Sequence, residues 1–474
     1  MNTPASPTAP NTAPAPAGRR LARRFGGPAL KLLLVGAVLL LMLLPLAYVS
    51  GLIDERKARQ GEVVSEFRNS WGPQQTLYGP VLVVPYHAEG SASRRYLHIA
   101  PSQLTVTGEL QPETRERGIF RATVYAAHLT LSGKFRLPAE FPAGELQWAE
   151  SFVLMRANDW RALPASAELR WDGAPSAWVS CGEVVEEACS GDYLLAARAG
   201  KVLAADAPLA FEANLAVRGT EAFWIAPFAK EADVTLSGRW STPSFGGASL
   251  PDKISVTGTD FSGVWRVASN RVARHASWVS NRAIEFDAGD LNRAVANARL
   301  GVELLDPVPT YRMTERASKY AVLFLVLTFL TYFLSETMSG VRIHLVQYGL
   351  LGLSITLFGL LLISLAEPLG FTAGYALSAL MVLLQASLYT ATVTQARRHA
   401  FAFAAVLACL FSFLYVVLIL ETYSLLVGSV ALFAALSVMM AVTRHIRWSP
   451  PRVPAAAPAA GGPNPAAAGW LELD

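Results

Sequence analysis

Ionisable and polar side chains are scarce in the last third of this 474-residue chain, so the few present there are the first candidates for chemistry. Glu336 and Glu367 stand at the ends of long apolar runs, as does Glu421. A carboxylate inside a bilayer is by default a candidate ion or proton site. All three lie at the margins of their runs, however, where a carboxylate reaches water cheaply, and a structural role is the plainer expectation. Gln385 and Tyr389 fall one turn apart on another apolar run. They could hydrogen-bond across a helix interface or line a pore. Ser354, within Gly352-Leu353-Ser354, invites comparison with a membrane-embedded serine nucleophile, but no histidine occurs inside an apolar run to act as its base. A close helix contact at Gly349, Gly352 and Gly359, with Ser354 bonded to a neighbouring backbone, is the better reading.

Outside the apolar runs the candidates are fewer. Cys181 and Cys189 bracket an acidic loop, CGEVVEEAC, and a disulfide between them is expected if that part of the chain lies outside the cytoplasm. The third cysteine, Cys409, sits in an apolar run and is expected to be core. His87, His98 and His128 occupy strand-like contexts with no carboxylate at ligand spacing, so no metal site is expected. Glycine loops of the phosphate-cradling type are absent, and no cofactor is expected. The segments FWIAPF (223–228) and PSFGG (243–247) could form an exposed aromatic patch, although core and turn positions are preferred. With a net charge of +4 and no basic face interleaved with aromatics, nucleic-acid binding has no support. Titratable groups do not cluster at any recognisable catalytic spacing, so the chain reads as a non-enzyme.

The elements that position these residues follow from hydropathy. Hydrophobic residues make up 52% of the chain and charged ones only 16%, well under the quarter usual for soluble proteins. The mean hydropathy of +0.33 places part of the chain in lipid. An apolar run over 32–53, long enough to cross about 30 Å of hydrocarbon, follows Arg19, Arg20, Arg23, Arg24 and Lys31. Its core exceeds a signal-peptide h-region and no small-x-small site precedes Asp54, so an uncleaved anchor is favoured. Five further spans are expected near 320–335, 343–365, 371–393, 401–420 and 423–442. The links between them alternate in charge. Arg342 lies in one link, Arg397 and Arg398 in another, and Arg444 and Arg447 follow the last span, whereas the links holding Glu367 and Glu421 carry no basic residue. By the positive-inside rule both termini lie in the cytoplasm and residues 54–318 outside it.

Between the first span and the other five, runs such as LTVTG (104–108), FRATVYAAHLTLSGKF (120–135), ANLAVRG (213–219) and VTLSGRW (234–240) alternate β-formers between Gly, Pro and Asp. That is the pattern of an all-β sandwich. The pairs LTLSGKF with VTLSGRW, and LTVTG with ISVTG, raise two β modules near 76–175 and 205–306, with a single larger sandwich as the alternative. The fold class expected is therefore a membrane protein of mixed α + β type, with six transmembrane helices (1 + 5) and a large β domain between the first and second. Residues 1–31 and 444–474, rich in Pro and Ala, read as disordered tails.

Several segments resemble the CreD family of bacterial inner-membrane proteins: GPQQTLYGPVLVVPY (72–86), HLTLSGKF (128–135), residues 311–337, residues 344–379 and residues 421–444. The resemblance spans nearly everything except the two tails. The segment ETYSLL departs from the EDYALL-like pattern expected of that family. It implies a multi-pass inner-membrane protein associated with cell-envelope integrity and the envelope stress response, whose periplasmic domain meets envelope components, with the lipid bilayer and envelope proteins as partners. The family brings no established catalytic residue to carry over. The alternative activity is transport or lipid handling by the five-helix bundle, for which Ser354, Gln385 and Tyr389 would line a mid-membrane cavity.

Overall fold

The computed structural model describes residues 28–88, 93–138, 144–159, 167–184, 194–200, 207–268, 277–281, 298–306, 310–339, 343–394, 397–420 and 423–444. Residues 1–27 and 445–474 of the expected tails, Cys189 and Glu421 lie outside the described residues, whereas Pro28–Lys31, expected to be disordered, already belong to the first helix. The chain divides into two compact units, residues 1–51 with 313–474 and residues 52–312.

Among the described residues, six helices are long and apolar enough to cross a membrane. They are α1 (Pro28–Trp71), α2 (Thr310–Ser339), α3 (Leu345–Leu369), α4 (Phe371–Thr394), α5 (Arg397–Ile419) and α6 (Ser424–Thr443). Two are longer than the apolar runs that announce them. α1 continues 18 residues past Ile53 to the Trp71-Gly72-Pro73 break, and α2 begins ten residues before Tyr320. The extensions carry charge and so are invisible to hydropathy, yet nothing in them breaks a helix.

Within the bundle, α1 buries only a narrow stripe, Val35, Leu46 and Val49, with Val38, Leu39 and Met42 packed alongside. The spacing of three and four residues is that of a coiled-coil seam, which leaves Leu33, Leu40, Leu41, Leu44 and Tyr48 facing outward. In water such a surface would aggregate; in lipid it is the expected exterior. The stripe meets small residues of α3. A Cβ on Gly352 would lie 2.7 Å from Met42 Cγ and 2.8 Å from the Phe329 ring, and one on Gly359 would lie 2.9 Å from Val49. Glycine at these two positions is what lets the helices approach.

In the β unit two sheets face one another. One runs in the order Pro243–Gly247, Leu300–Leu304, Ala222–Ala226, Gln75–Ala88, Phe152–Arg156, Leu194–Arg198, Val179–Ser180, with Arg94–Ile99 and Gly144–Leu146 also paired to Gln75–Ala88. The other runs Lys253–Thr257, Asp260–Ala268, Glu231–Arg239, Gln103–Arg117, Phe120–Phe135, Leu209–Thr220, Glu168–Trp171, Ala174–Ala177. Strands of the two look-alike stretches interleave in both sheets. Leu209–Thr220 lies between Phe120–Phe135 and Glu168–Trp171, and Ala222–Ala226 pairs in parallel with Gln75–Ala88. A single core joins Leu82, Val84, Val106, Leu131, Leu215, Leu236 and Trp265, so the stretches share one sandwich rather than building two.

The strand Gln75–Ala88 explains its own composition. Leu82, Val84 and Tyr86 enter the main core, while Tyr78, Val81 and Val83 join Phe152, Leu154 and Phe228 in a second cluster. Buried on both faces, it reads as an unbroken apolar run, as central strands do. In the other sheet one face is wet, and Gln103–Arg117 alternates buried Leu104, Val106 and Leu110 with exposed Thr105, Thr107 and Glu109. The end of α1 is fixed against this unit: Trp71 lies under Arg115 and Arg218, at 3.8 and 4.8 Å, and donates its indole N–H to the Tyr125 carbonyl at 3.2 Å.

Candidate functional site

Helix α2 ends in LSETMS, and Glu336 stands one turn before that end. It is buried at 9% exposure, on the same side of α2 as Tyr332 and Phe333, which that side sends into the bundle core. Its partners come from three other segments. Lys31, one turn inside α1, forms an ion pair with Oε1. The backbone N–H of Ile343, in the link before α3, donates to Oε1 at 3.1 Å. The hydroxyl of Tyr348, in the first turn of α3, donates to Oε2 at 2.8 Å. Lys31 also donates to the Ile343 carbonyl at 2.7 Å, so the ammonium and the carboxylate share one peptide segment.

The surroundings are aromatic. Tyr348 is fully buried and meets Tyr332 edge-on at 5.2 Å between ring centres, and Tyr332 in turn meets Phe403 of α5 at 5.3 Å. Low polarity around the carboxylate strengthens each of its hydrogen bonds and penalises the loss of any one. The chemistry offered is fastening. One acidic group draws α1, α2 and the start of α3 together, and the charge pair is satisfied by the Ile343 peptide groups and the Tyr348 hydroxyl. Neighbouring His344 caps α3, accepting the Val346 N–H at 3.3 Å while Gln347 accepts the His344 N–H at 2.9 Å, which holds the link in place.

At the far end of α2 lies a second polar contact. Arg316 donates to the carbonyls of Val417 and Leu418 at 3.0 and 3.1 Å. These belong to the last turn of α5, where carbonyls have no partner within the helix and a cation also meets the negative end of the dipole. Ser318 and Ser50 join α2 to α1 through a hydroxyl pair at 2.6 Å.

The other residues singled out in the sequence are placed as follows. Ser354, buried on α3, donates to the Gln385 side-chain carbonyl on α4 at 3.2 Å. Gln385 itself is exposed and Tyr389 half-buried. Glu367 is half-buried near the end of α3. Cys181 opens a short 3₁₀ turn, Cys181–Glu183, and Cys409 is exposed on α5 rather than part of the core. That exposure is ordinary for a lipid-facing position, which hydropathy alone does not separate from an interior one. His98 is buried, stacked on Trp278 at 4.9 Å and bonded to Ser280 at 3.1 Å. Phe223, Trp224, Ile225 and Ala226 are core, and Pro243–Gly247 is a half-buried strand. Lys31 was hidden among the basic residues that flank the first span, where it reads only as an orientation signal.

Six apolar helices, one before and five after a β-sheet domain, define a multi-pass membrane protein in contact with the lipid bilayer. The chain belongs to the CreD family: the family described as "Inner membrane protein CreD" matches residues 28–449, and this is an inner-membrane protein. It is 29% identical over 428 residues to Inner membrane protein CreD of Escherichia coli (strain K12), covering 88% of this chain and 92% of that one. Among solved structures, two of an M1 zinc metallopeptidase of Deinococcus radiodurans align over 35% and 75% of this chain, and 38% and 96% of theirs. Their identities are 8% and 10%, and at TM-scores of 0.20 they carry no argument about fold or activity.

Proposed function

We propose that this inner-membrane protein supports cell-envelope integrity and the envelope stress response without catalysing a reaction, and that its β domain contacts envelope components in the periplasm. Both termini lie in the cytoplasm and residues 54–318 outside it, with the Cys181–Cys189 disulfide following from that location. The observation that carries the reading is the alternation of charge: arginines mark one end of the bundle at two alternate links and again after the last span, and glutamates mark the other. The engagement of Glu336 supports it further, since this buried acidic group is spent on holding helices.

The transport alternative gains little from the arrangement of its candidate residues. Ser354 and Gln385 bond directly to each other, and Gln385 lies on the outside of its helix. Two measurements test the proposal. A Thr257→Cys variant in a Cys-free background is labelled on intact cells with a membrane-impermeant maleimide; labelling is expected, and protection until the cells are opened removes the periplasmic assignment. Crosslinking in intact envelopes under cell-wall stress should then recover a specific envelope component through the β domain. Recovery of none leaves transport as the better explanation.

A further inference from the structure

The wet face of the second sheet carries a cleft of about 320 Å³, at the lower end of the range for small-ligand sites. Its origin lies in strand register. On neighbouring strands Lys134 stands between Gln103 and Ala210, and two residues along Ser132 stands between Thr105 and Glu212. Glu212 in turn stands beside Arg170. Ala210 thus places a single methyl amid long side chains, and the face dips there. The turn Asp172-Gly173 closes one end. Asp172, at φ 45°, receives the Ala210 N–H on Oδ1 at 3.1 Å and returns its own N–H to the Ala210 carbonyl at 3.1 Å. Gly173, at φ 83°, completes the turn with no neighbour above it.

The charges around the dip are balanced and spread out. Lys134 and Arg170 line it, and neither forms an ion pair with another described residue. They lie two strands and two residues apart, roughly 12 Å at the usual strand spacing and rise. Glu212 sits between them and Ser132 beside it, so both signs and a hydroxyl face one small space. A simple anion would meet Glu212 and Asp172; a simple cation would meet Lys134 and Arg170. A zwitterion satisfies both. Lys134 and Glu212 stand one strand and two residues apart, roughly 8 Å, a separation that two to three extended residues span.

We propose that this cleft binds a short peptide with free ends, its carboxylate held by Lys134 and Arg170 and its ammonium by Glu212. The inference goes beyond the envelope reading and leaves the topology untouched if it fails. The test uses full-length protein in nanodiscs and titration calorimetry with tri-alanine. Saturable binding is expected, weakened at least tenfold by Lys134→Gln or by Arg170→Gln, both exposed positions, and lost in Ala210→Met, which fills the dip. Acetylated tri-alanine amide should not bind. No binding at millimolar tri-alanine overturns the proposal, as does equal binding of the capped peptide. Equal binding of L-alanine overturns the peptide assignment in favour of free amino acids, and displacement of tri-alanine by inorganic phosphate alone overturns the zwitterion argument.

Discussion

The fastening role of Glu336 predicts a coupling that a merely tolerated carboxylate would not show. Glu336→Ala removes the acceptor for the Ile343 N–H, for the Tyr348 hydroxyl and for the Lys31 ammonium. A buried donor left without a partner costs about 1–3 kcal/mol, and breaking a buried charge pair from one side costs about 3–5 kcal/mol. The two figures overlap, because the pair term already includes part of the desolvation. Lys31 softens the loss, since its side chain is 30% exposed at the helix end and can turn toward water. A total of about 3–4 kcal/mol follows for Glu336→Ala. For Glu336→Gln, which loses the charge and keeps one accepting oxygen while the other becomes an NH2 donor, about 1–2 kcal/mol is expected.

A double-mutant cycle isolates the pair. Lys31→Met alone should cost about 2 kcal/mol, because the carboxylate then remains buried with only neutral donors. With Glu336→Gln already present, the same change should cost well under 1 kcal/mol, so the coupling is at least about 1 kcal/mol. The assay is reversible unfolding of the purified protein in mixed micelles, titrated with SDS and followed by helical circular dichroism. Additivity within about 0.3 kcal/mol would refute the reasoning, since two residues sharing no interaction add in that way. A stabilising Lys31→Met would refute it as well, by showing that desolvation of the ammonium outweighs everything it gains from Glu336.

Three other outcomes follow from the packing. Gly352→Leu should destabilise the bundle by about 1–3 kcal/mol in the same SDS titration, through overpacking against Met42 and Phe329. Gly428→Ala on α6, where an added Cβ meets nothing within 4 Å, should be neutral or stabilise by up to about 1 kcal/mol. Arg316→Met should cost about 1–3 kcal/mol by stripping the Val417 and Leu418 carbonyls of their donor, whereas Arg316→Lys should recover part of it. In the β domain, burial raises the pKa of Tyr125, whose hydroxyl donates to the Ala222 carbonyl at 2.8 Å. A folded-state pKa above the unfolded one means this group's contribution is complete below the ordinary tyrosine value of 10.0 and is lost as pH rises past it. Urea midpoints measured between pH 9 and 11 should therefore fall more steeply in the native protein than in Tyr125→Phe.

How much of this was legible in the sequence depends on how local each cause is. Hydropathy and loop charge are local, and the six helices stand where those signals put them. Strand existence is local too, because Leu104, Val106 and Leu110 alternate with exposed neighbours. Strand pairing is not. Gln75–Ala88 meets Ala222–Ala226 across 148 residues of chain, from Gln75 to Phe223, and no propensity at either site encodes the other. The internal likeness that hinted at two modules has a smaller cause. In LTLSGKF and VTLSGRW the shared glycines lie inside strands, where a Cβ on Gly133 or Gly238 would meet a neighbouring carbonyl at 2.5 or 2.6 Å and a phenylalanine ring, whereas the glycines of LTVTG and ISVTG differ, Gly108 lying within a strand and Gly258 opening a turn. The same division explains why Glu336 stands out in the sequence and Lys31 does not. An acidic residue at the end of an apolar run is conspicuous alone, but a lysine among arginines is not. The pairing could still have been reached by counting. Lys31 is the fourth residue of α1 and Glu336 the fourth from the end of α2, each one turn inside its helix. Consecutive spans run in opposite directions across the bilayer, so at 1.5 Å per residue both side chains arrive at one depth. Opposite charges at one depth on neighbouring helices are then drawn together by the absence of water to keep them apart.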